Sequence, residues 1–89
     1  MARSWKGTRS PDDVRERIHS DVPLGSDKAE AEAWLRREGI DYSDEGDALR
    51  FTLKGPPRGL FVGVTWLVAM QFPNGRLSAV TVEEGLTGP

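Results

Sequence analysis

Residues 60–72 read LFVGVTWLVAMQF, and every even position in this segment is apolar. Alternation with a period of two is typical of a β-strand that buries one face. At about 3.3 Å per residue, the whole segment would extend over roughly 43 Å. A flat strand of that length does not fit a small domain, so we expect a bend or bulge near Gly63. The segment therefore predicts a long central strand.

The sequence on either side of this segment predicts two neighbouring strands. Residues 49–54, LRFTLK, alternate apolar and polar side chains, which predicts a half-buried strand. The run GPPRG at residues 55–59 predicts a break and a connection after it. The PNG sequence at residues 73–75 is typical of a tight hairpin turn. We expect residues 76–83 to return as the third strand.

Two helices are predicted ahead of the sheet, and SPDD at residues 10–13 begins the first of them. Ser10 is suited to cap the free amides, proline suits the first helical position, and acidic residues favour the positive end of a helix. Pro23 disfavours helical geometry in the residue before it. We therefore expect this helix to end by residues 21–22.

The second helix is predicted over Asp27–Glu38, with Ser26 as its N-cap. Ala31 and Leu35 are four residues apart, so they share an apolar face. Gly39 follows at the position where a helix commonly ends with a left-handed residue.

These elements predict an α+β fold in the order α-α-β-β-β. One or two short N-terminal helices pack on a three-stranded antiparallel meander, which supplies most of the core. We expect residues 1–9 to form a disordered basic lead, residues 10–84 a single domain and residues 85–89 a frayed tail.

The composition of the 89 residues limits the possible function classes. The absence of cysteine excludes a disulfide scaffold, a cysteine nucleophile and cysteine-based metal centres. A pI near 5.3 disfavours a nucleic-acid partner. The apolar runs are too short for a membrane span, and no signal peptide is recognisable, so we expect a cytoplasmic protein. The net charge of −2 hides an asymmetry, because nine of the 14 acidic residues fall between positions 20 and 47.

Two segments resemble a known family. PLGS at residues 23–26, leading into an amphipathic helix, is similar to the opening of the small bacterial BLIP-like domains, and FPNGRL at residues 72–77 resembles their closing hairpin. That group includes outer-membrane-assembly lipoproteins and the repeats of the β-lactamase inhibitor protein. This chain departs from it in having no lipidated cysteine, and RREGI at residues 36–40 replaces a Gly-x-Pro helix exit. The resemblance implies a protein-binding module without catalysis, and it assigns no functional residue.

Candidate chemistry is sparse. His19 is the single histidine and could serve as a general base, although a solvated position at a helix end is the favoured interpretation. Oxygens at Asp41, Ser43 and Glu45 imitate the start of a calcium loop, but Thr52 stands where the bidentate glutamate is required. We therefore predict no catalytic, cofactor-binding or metal-binding residue, and no cofactor.

The odd positions of the central strand suggest a binding surface. Phe61, Leu67 and Ala69 lie on the face that two short helices would leave uncovered. The cover is then an N-terminal segment containing Trp5, another part of this chain, or another chain. A contiguous exposed apolar patch usually marks an interface. The predicted partner-binding residues are those of the acidic loop and of this face: Asp41, Asp44, Glu45, Asp47, Arg58, Phe61 and Leu67.

The function that these features favour is a non-catalytic protein-binding module of the inhibitor, immunity or regulatory accessory type. A structural homo-oligomerising domain, for example a homodimer, is the alternative, and a small enzyme using His19 is third. The scarcity of lysine relative to arginine suggests a bacterial or phage source.

Overall fold

The computed structural model describes residues 8–57 and 63–87. Its elements are α1 Pro11–Asp21, α2 Lys28–Arg37, β1 Tyr42–Asp44, β2 Ala48–Pro57, β3 Gly63–Gln71 and β4 Ala79–Thr87. The strands form one antiparallel sheet in chain order, β1-β2-β3-β4. The α+β class and the antiparallel meander are confirmed. The prediction of three strands was wrong, because the sheet has four strands within the described residues.

The additional strand, β1, lies in the acidic segment that was predicted as a loop. Tyr42 pairs with Phe51 and Asp44 with Leu49, so β1 extends the sheet beside the start of β2. The turn between them closes with a hydrogen bond from the Glu45 amide to the Ala48 carbonyl, 2.8 Å. The sequence YSD has no apolar alternation, and its strand conformation therefore depends on pairing with β2.

Helix α1 begins and ends as predicted. The Ser10 hydroxyl accepts a hydrogen bond from the Asp13 amide at 3.2 Å, which satisfies one of the free donors of the first turn. Val14 and Ile18 lie one helical turn apart, and both are fully buried against the sheet.

Helix α2 begins one residue later than predicted, with Asp27 as its N-cap. Ser26 is buried instead, and its hydroxyl donates to the Pro23 carbonyl at 2.7 Å. The helix ends at Arg37, one residue earlier than predicted, and Glu38 is its C-cap. The predicted left-handed residue after it is confirmed. Gly39 has a φ of 70°, and the Ile40 amide donates to the Leu35 carbonyl at 2.8 Å, which is the Schellman arrangement.

The long β2–β3 hairpin departs from prediction at its far end. Strand β2 continues to Pro57, so the predicted break at residue 55 was wrong. The pairing shifts register between Lys54 and Pro57, and Pro57 lies opposite Gly63. The irregularity expected near Gly63 therefore lies opposite it, in β2. Pro56 and Pro57 of that strand have no backbone N–H to donate to the ladder. Residues 58–62 lie outside the described residues.

Strand β4 begins three residues later and ends four residues later than predicted. The turn itself is confirmed, since Gly75 has a φ of 77° and its amide donates to the Phe72 carbonyl at 3.2 Å. Arg76 then forms an isolated bridge with Asp27, which ties this turn to the loop between the helices. Residues 85–87, predicted as part of a frayed tail, continue β4 along β3.

The core lies between the helices and one face of the sheet. Strand β3 contributes the side chains of its even-numbered residues to the core. The largest fully buried side chains of the core are Trp34, Trp66, Phe72, Ile18, Leu35, Leu49, Met70 and Val14. Trp34 of α2 meets Phe51 edge to face, with ring centroids 6.4 Å apart. Thr8 is only 2% exposed, and its hydroxyl accepts a hydrogen bond from Trp66 Nε1 at 2.9 Å. This end of the predicted disordered lead therefore belongs to the folded domain.

Candidate functional site

The second face of the sheet is not covered by either helix in the described part of the chain. We call it the open face. The strand register places on it the side chains of Arg50, Thr52, Lys54, Thr65, Leu67, Ala69, Thr81 and Glu83. Leu67 is 44% exposed, whereas its neighbours Trp66 and Val68 are buried beneath the helices. The prediction that the helices leave Leu67 uncovered is confirmed.

A shallow groove of about 340 Å³ runs along the open face between β2 and β4. Ala69 is only 6% exposed, because its methyl group lies below the longer side chains of Arg50 and Thr81 that line the same groove. Leu67 leans towards β4, where its Cγ atom is 3.8 Å from the position that a Cβ atom on Gly85 would take. The groove thus has an apolar floor and one exposed aliphatic side chain.

The charged side chains of the open face are separated by strand. Arg50 and Lys54 lie on β2 and Glu83 lies on β4, with the uncharged side chains of β3 between them. Arg50 Nε donates to Glu45 Oε1 at 2.7 Å, so its charge is partly balanced by the loop between β1 and β2. The open face therefore has a basic side and an acidic side.

The acidic loop is partly neutralised by the chain itself. Asp44 Oδ1 accepts hydrogen bonds from Lys28 Nζ at 2.7 Å and from the Gly46 amide at 2.9 Å. These bonds, that from Lys28 above all, hold the pKa of the Asp44 carboxyl below its ordinary value. The hydrogen bond to Asp44 in turn raises the pKa of Lys28. Asp41 and Asp47 remain exposed.

The predicted partner-binding residues do not form one cluster. Leu67 lies on the open face, Glu45 borders it through Arg50, and Asp44 turns towards α2 and Lys28. Arg58 and Phe61 lie outside the described residues. The structure adds Glu83, which sequence reasoning missed, because its position across from Thr52 depends on the register of two hairpins.

The first described residues pack on the helix-covered side. Thr8 contacts the indole of Trp66, which belongs to the buried face of β3. Thr8 therefore does not cover the open face, and Trp5, on which the alternative of an N-terminal cover depends, lies outside the described residues.

Other candidate chemistry does not converge on the open face. His19 lies in the last turn of α1, in the helix layer, where its Nδ1 is buried without a hydrogen-bond partner among the described residues. Within residues 8–57 and 63–87, no three His, Cys, Asp or Glu side chains are placed to hold a metal ion. Ser43 lies in β1 and pairs with Arg50, so the segment that imitates the start of a calcium loop runs as an extended strand rather than closing around an ion.

No protein family, curated protein or solved structure matches the chain. The resemblance to the BLIP-like domains therefore stays a prediction. Neither helix in the described part of the chain has the length and hydropathy that a membrane span requires.

Proposed function

We propose that this chain is a non-catalytic protein-binding module that contacts its partner through the open face. The observation that carries the proposal is the position of Leu67. It is 44% exposed in the middle of β3, at the centre of a sheet whose other face packs against the helices. Exposed apolar groups at the centre of a surface, surrounded by polar ones, are typical of interfaces.

The shape of the open face favours a protein over a small molecule. Ligand pockets enclose most of a bound compound, whereas this groove is lined by the side chains of three adjacent strands and is open along its length. Its rim is formed by Arg50, Thr52, Thr81 and Glu83, which offer hydrogen-bonding groups of both kinds. An apolar centre with a polar rim is the usual organisation of a protein interface.

The acidic loop has a smaller role in this proposal than the sequence predicted. Two of its four carboxylates, those of Asp44 and Glu45, already bind cations of the same chain. Asp41 and Asp47 are exposed near one end of the sheet, where they would affect the rate of association more than the affinity. Raising the salt concentration should therefore slow binding with little effect on the dissociation rate.

Site-specific photo-crosslinking tests the proposal without knowledge of the partner. A photoreactive phenylalanine analogue replaces Leu67 in one variant and Leu24 in a control. Leu24 lies between the two helices and is 61% exposed, so it is at least as accessible as Leu67. Each variant is irradiated in a lysate of the source organism, and its adducts are identified by mass spectrometry.

The proposal predicts a discrete protein adduct from position 67 and none of comparable yield from position 24. Self-adducts count, because a second copy of the chain is also a protein partner. Equal labelling at both positions, or none at position 67, would show that the open face is not a binding surface.

A further inference from the structure

Two charges of the open face have no partner among the described residues, and they are of opposite sign and lie on opposite strands. Lys54 of β2 and Glu83 of β4 are both exposed, and within residues 8–57 and 63–87 neither forms an ion pair or a side-chain hydrogen bond. The Arg50 guanidinium, by contrast, already contacts Glu45. A partner that supplied one charge of each sign, suitably spaced, would satisfy both.

The register fixes the spacing of these two charges. Glu83 is in the row Thr52–Leu67–Glu83, and Lys54 is in the next row along the strands, opposite Thr65. With β3 between them, β2 and β4 are roughly 10 Å apart, and successive rows on one face are separated by roughly 7 Å. Lys54 and Glu83 therefore lie on either side of Leu67, displaced by one row.

We infer that the partner of the open face is a second copy of this chain, stacked face to face. The inference rests on the proposed function, since it names the occupant of the same surface. A twofold axis that runs parallel to the strands over β3 brings β2 of each copy over β4 of the other. Leu67 then meets Leu67 of the second copy at the centre. Two packed sheets are about 10 Å apart, and the long lysine side chain spans one row to reach Glu83.

This arrangement forms the same contact twice. Lys54 of each copy lies beside Glu83 of the other, as a twofold interface requires. A twofold axis across the strands over Leu67 would instead stack β2 on β2 and bring Arg50 of each copy against Lys54 of the other. The charge pattern of the open face therefore selects the axis along the strands.

Pairing of two β4 edges is disfavoured by the same residues. Glu83 is at the middle of β4, which extends over Ala79–Thr87. In a fully overlapped antiparallel pair, Glu83 would lie directly opposite its own copy. Like charges at such positions are destabilising, and charged side chains commonly protect strand edges from pairing.

The size of the open face indicates a weak dimer. The three strands have 10, 9 and 9 residues and together cover roughly 400 Å² of each copy. Interfaces that bury less than about 1,200 Å² in total are typical of transient complexes. We therefore expect a monomer–dimer equilibrium that changes with protein concentration between about 10 µM and about 1 mM.

Charge reversal with mixing tests the inference. Lys54→Glu and Glu83→Lys each place like charges at both contacts of their own dimer, but a mixture of the two variants has opposite charges at both. Sedimentation equilibrium should show dimerisation of each single variant weakened by roughly tenfold or more, since two ion pairs are lost and two repulsions are added. The mixture should recover the wild-type dissociation constant as a heterodimer.

The controls carry the same charge changes on the helix side. Glu16→Lys and Arg37→Glu replace exposed residues of α1 and α2, and both should dimerise as the wild type does. The inference is overturned if the wild type stays monomeric to about 1 mM, or if the mixture does not recover. It is also overturned if Glu83→Lys dimerises as tightly as the wild type, because pairing of β4 edges would place like charges opposite each other in both proteins. If position 67 crosslinks to a different protein while the wild type stays monomeric, the proposed function stands and this inference fails.

Discussion

Replacing Gly55 with alanine tests how tightly the far end of the hairpin packs. A Cβ atom built at this position would lie 2.6 Å from Trp66 Nε1, 3.0 Å from Trp66 Cε2 and 3.2 Å from Val64 Cγ1. The indole has no room to withdraw, because it is fully buried and its Nε1 donates to Thr8 at 2.9 Å. The substitution must therefore displace either the strand or the indole.

The cost has two parts. Overpacking of a well-packed core typically costs about 1 to 3 kcal/mol. Displacing the indole also weakens its hydrogen bond to Thr8, which leaves a buried donor unsatisfied and costs about 1 kcal/mol or more. We expect Gly55→Ala to lower the free energy of unfolding by about 2 to 4 kcal/mol. For a chain of this size, such a loss lowers Tm by roughly 10 to 20 °C.

Thermal melts followed by circular dichroism measure the effect, and Gly85→Ala is the matched control. The nearest atom to a Cβ at Gly85 is 3.5 Å away, an ordinary contact, so Tm should change little or rise. Trp66→Phe removes the clashing ring atoms, and the cost of Gly55→Ala should be smaller in that background. A Gly55→Ala protein that melts within about 2 °C of the wild type would refute this account of the packing.

Three further predictions concern local interactions. Thr8→Val should lower the free energy of unfolding by about 1 to 3 kcal/mol, because Trp66 Nε1 is left buried without an acceptor, and chemical denaturation measures this loss. Ser10→Ala should cost about 1 kcal/mol in the same assay, since it removes the cap of α1. Asp44→Asn should lower Tm at pH 7. That difference should disappear below the lowered pKa of Asp44, which lies under its ordinary value of 3.8, because the protonated carboxyl no longer pairs with Lys28. A difference that persists at pH 2 would show that the ion pair is not its cause.

The helix termini were largely predictable because their signals are local. The Ser10 cap and the Gly39 terminus each depend on residues within one or two turns, and both are as the sequence indicated. The start of α2 was misplaced by one residue because Ser26 and Asp27 are both good N-caps. The choice between them depends on the backbone of Ser26. Its amide donates to the Pro23 carbonyl, and its carbonyl accepts a hydrogen bond from the Leu77 amide.

The ends of the strands could not be predicted because they depend on distant partners. Strand β4 continues through Gly85 to Thr87 only because β3 provides a complementary edge as far as Gly63. Likewise, β1 is a strand because β2 lies beside it. A sequence pattern shows which face of the sheet a residue occupies. The number of residues that pair, however, depends on the sequences of both strands.

For the candidate site, too, the face of a residue was predictable from the sequence, whereas its neighbours across the sheet were not. The period-two pattern placed Leu67 on the open face, and the structure agrees. The positions of Lys54 and Glu83 relative to it depend on two registers across β3, which no local pattern contains. The acidic loop was overrated as a surface because Lys28, sixteen residues away in sequence, binds Asp44.

Chemical crosslinking through Leu67 tests most directly whether the open faces of two copies meet. The chain has no cysteine, so Leu67→Cys and the control Leu24→Cys each introduce a single reactive thiol. A short bismaleimide is added at a protein concentration where sedimentation detects the dimer. Stacking of the open faces predicts a covalent dimer in high yield from position 67 and little from position 24. A dimer that crosslinks through position 24, or through neither position, would contradict it.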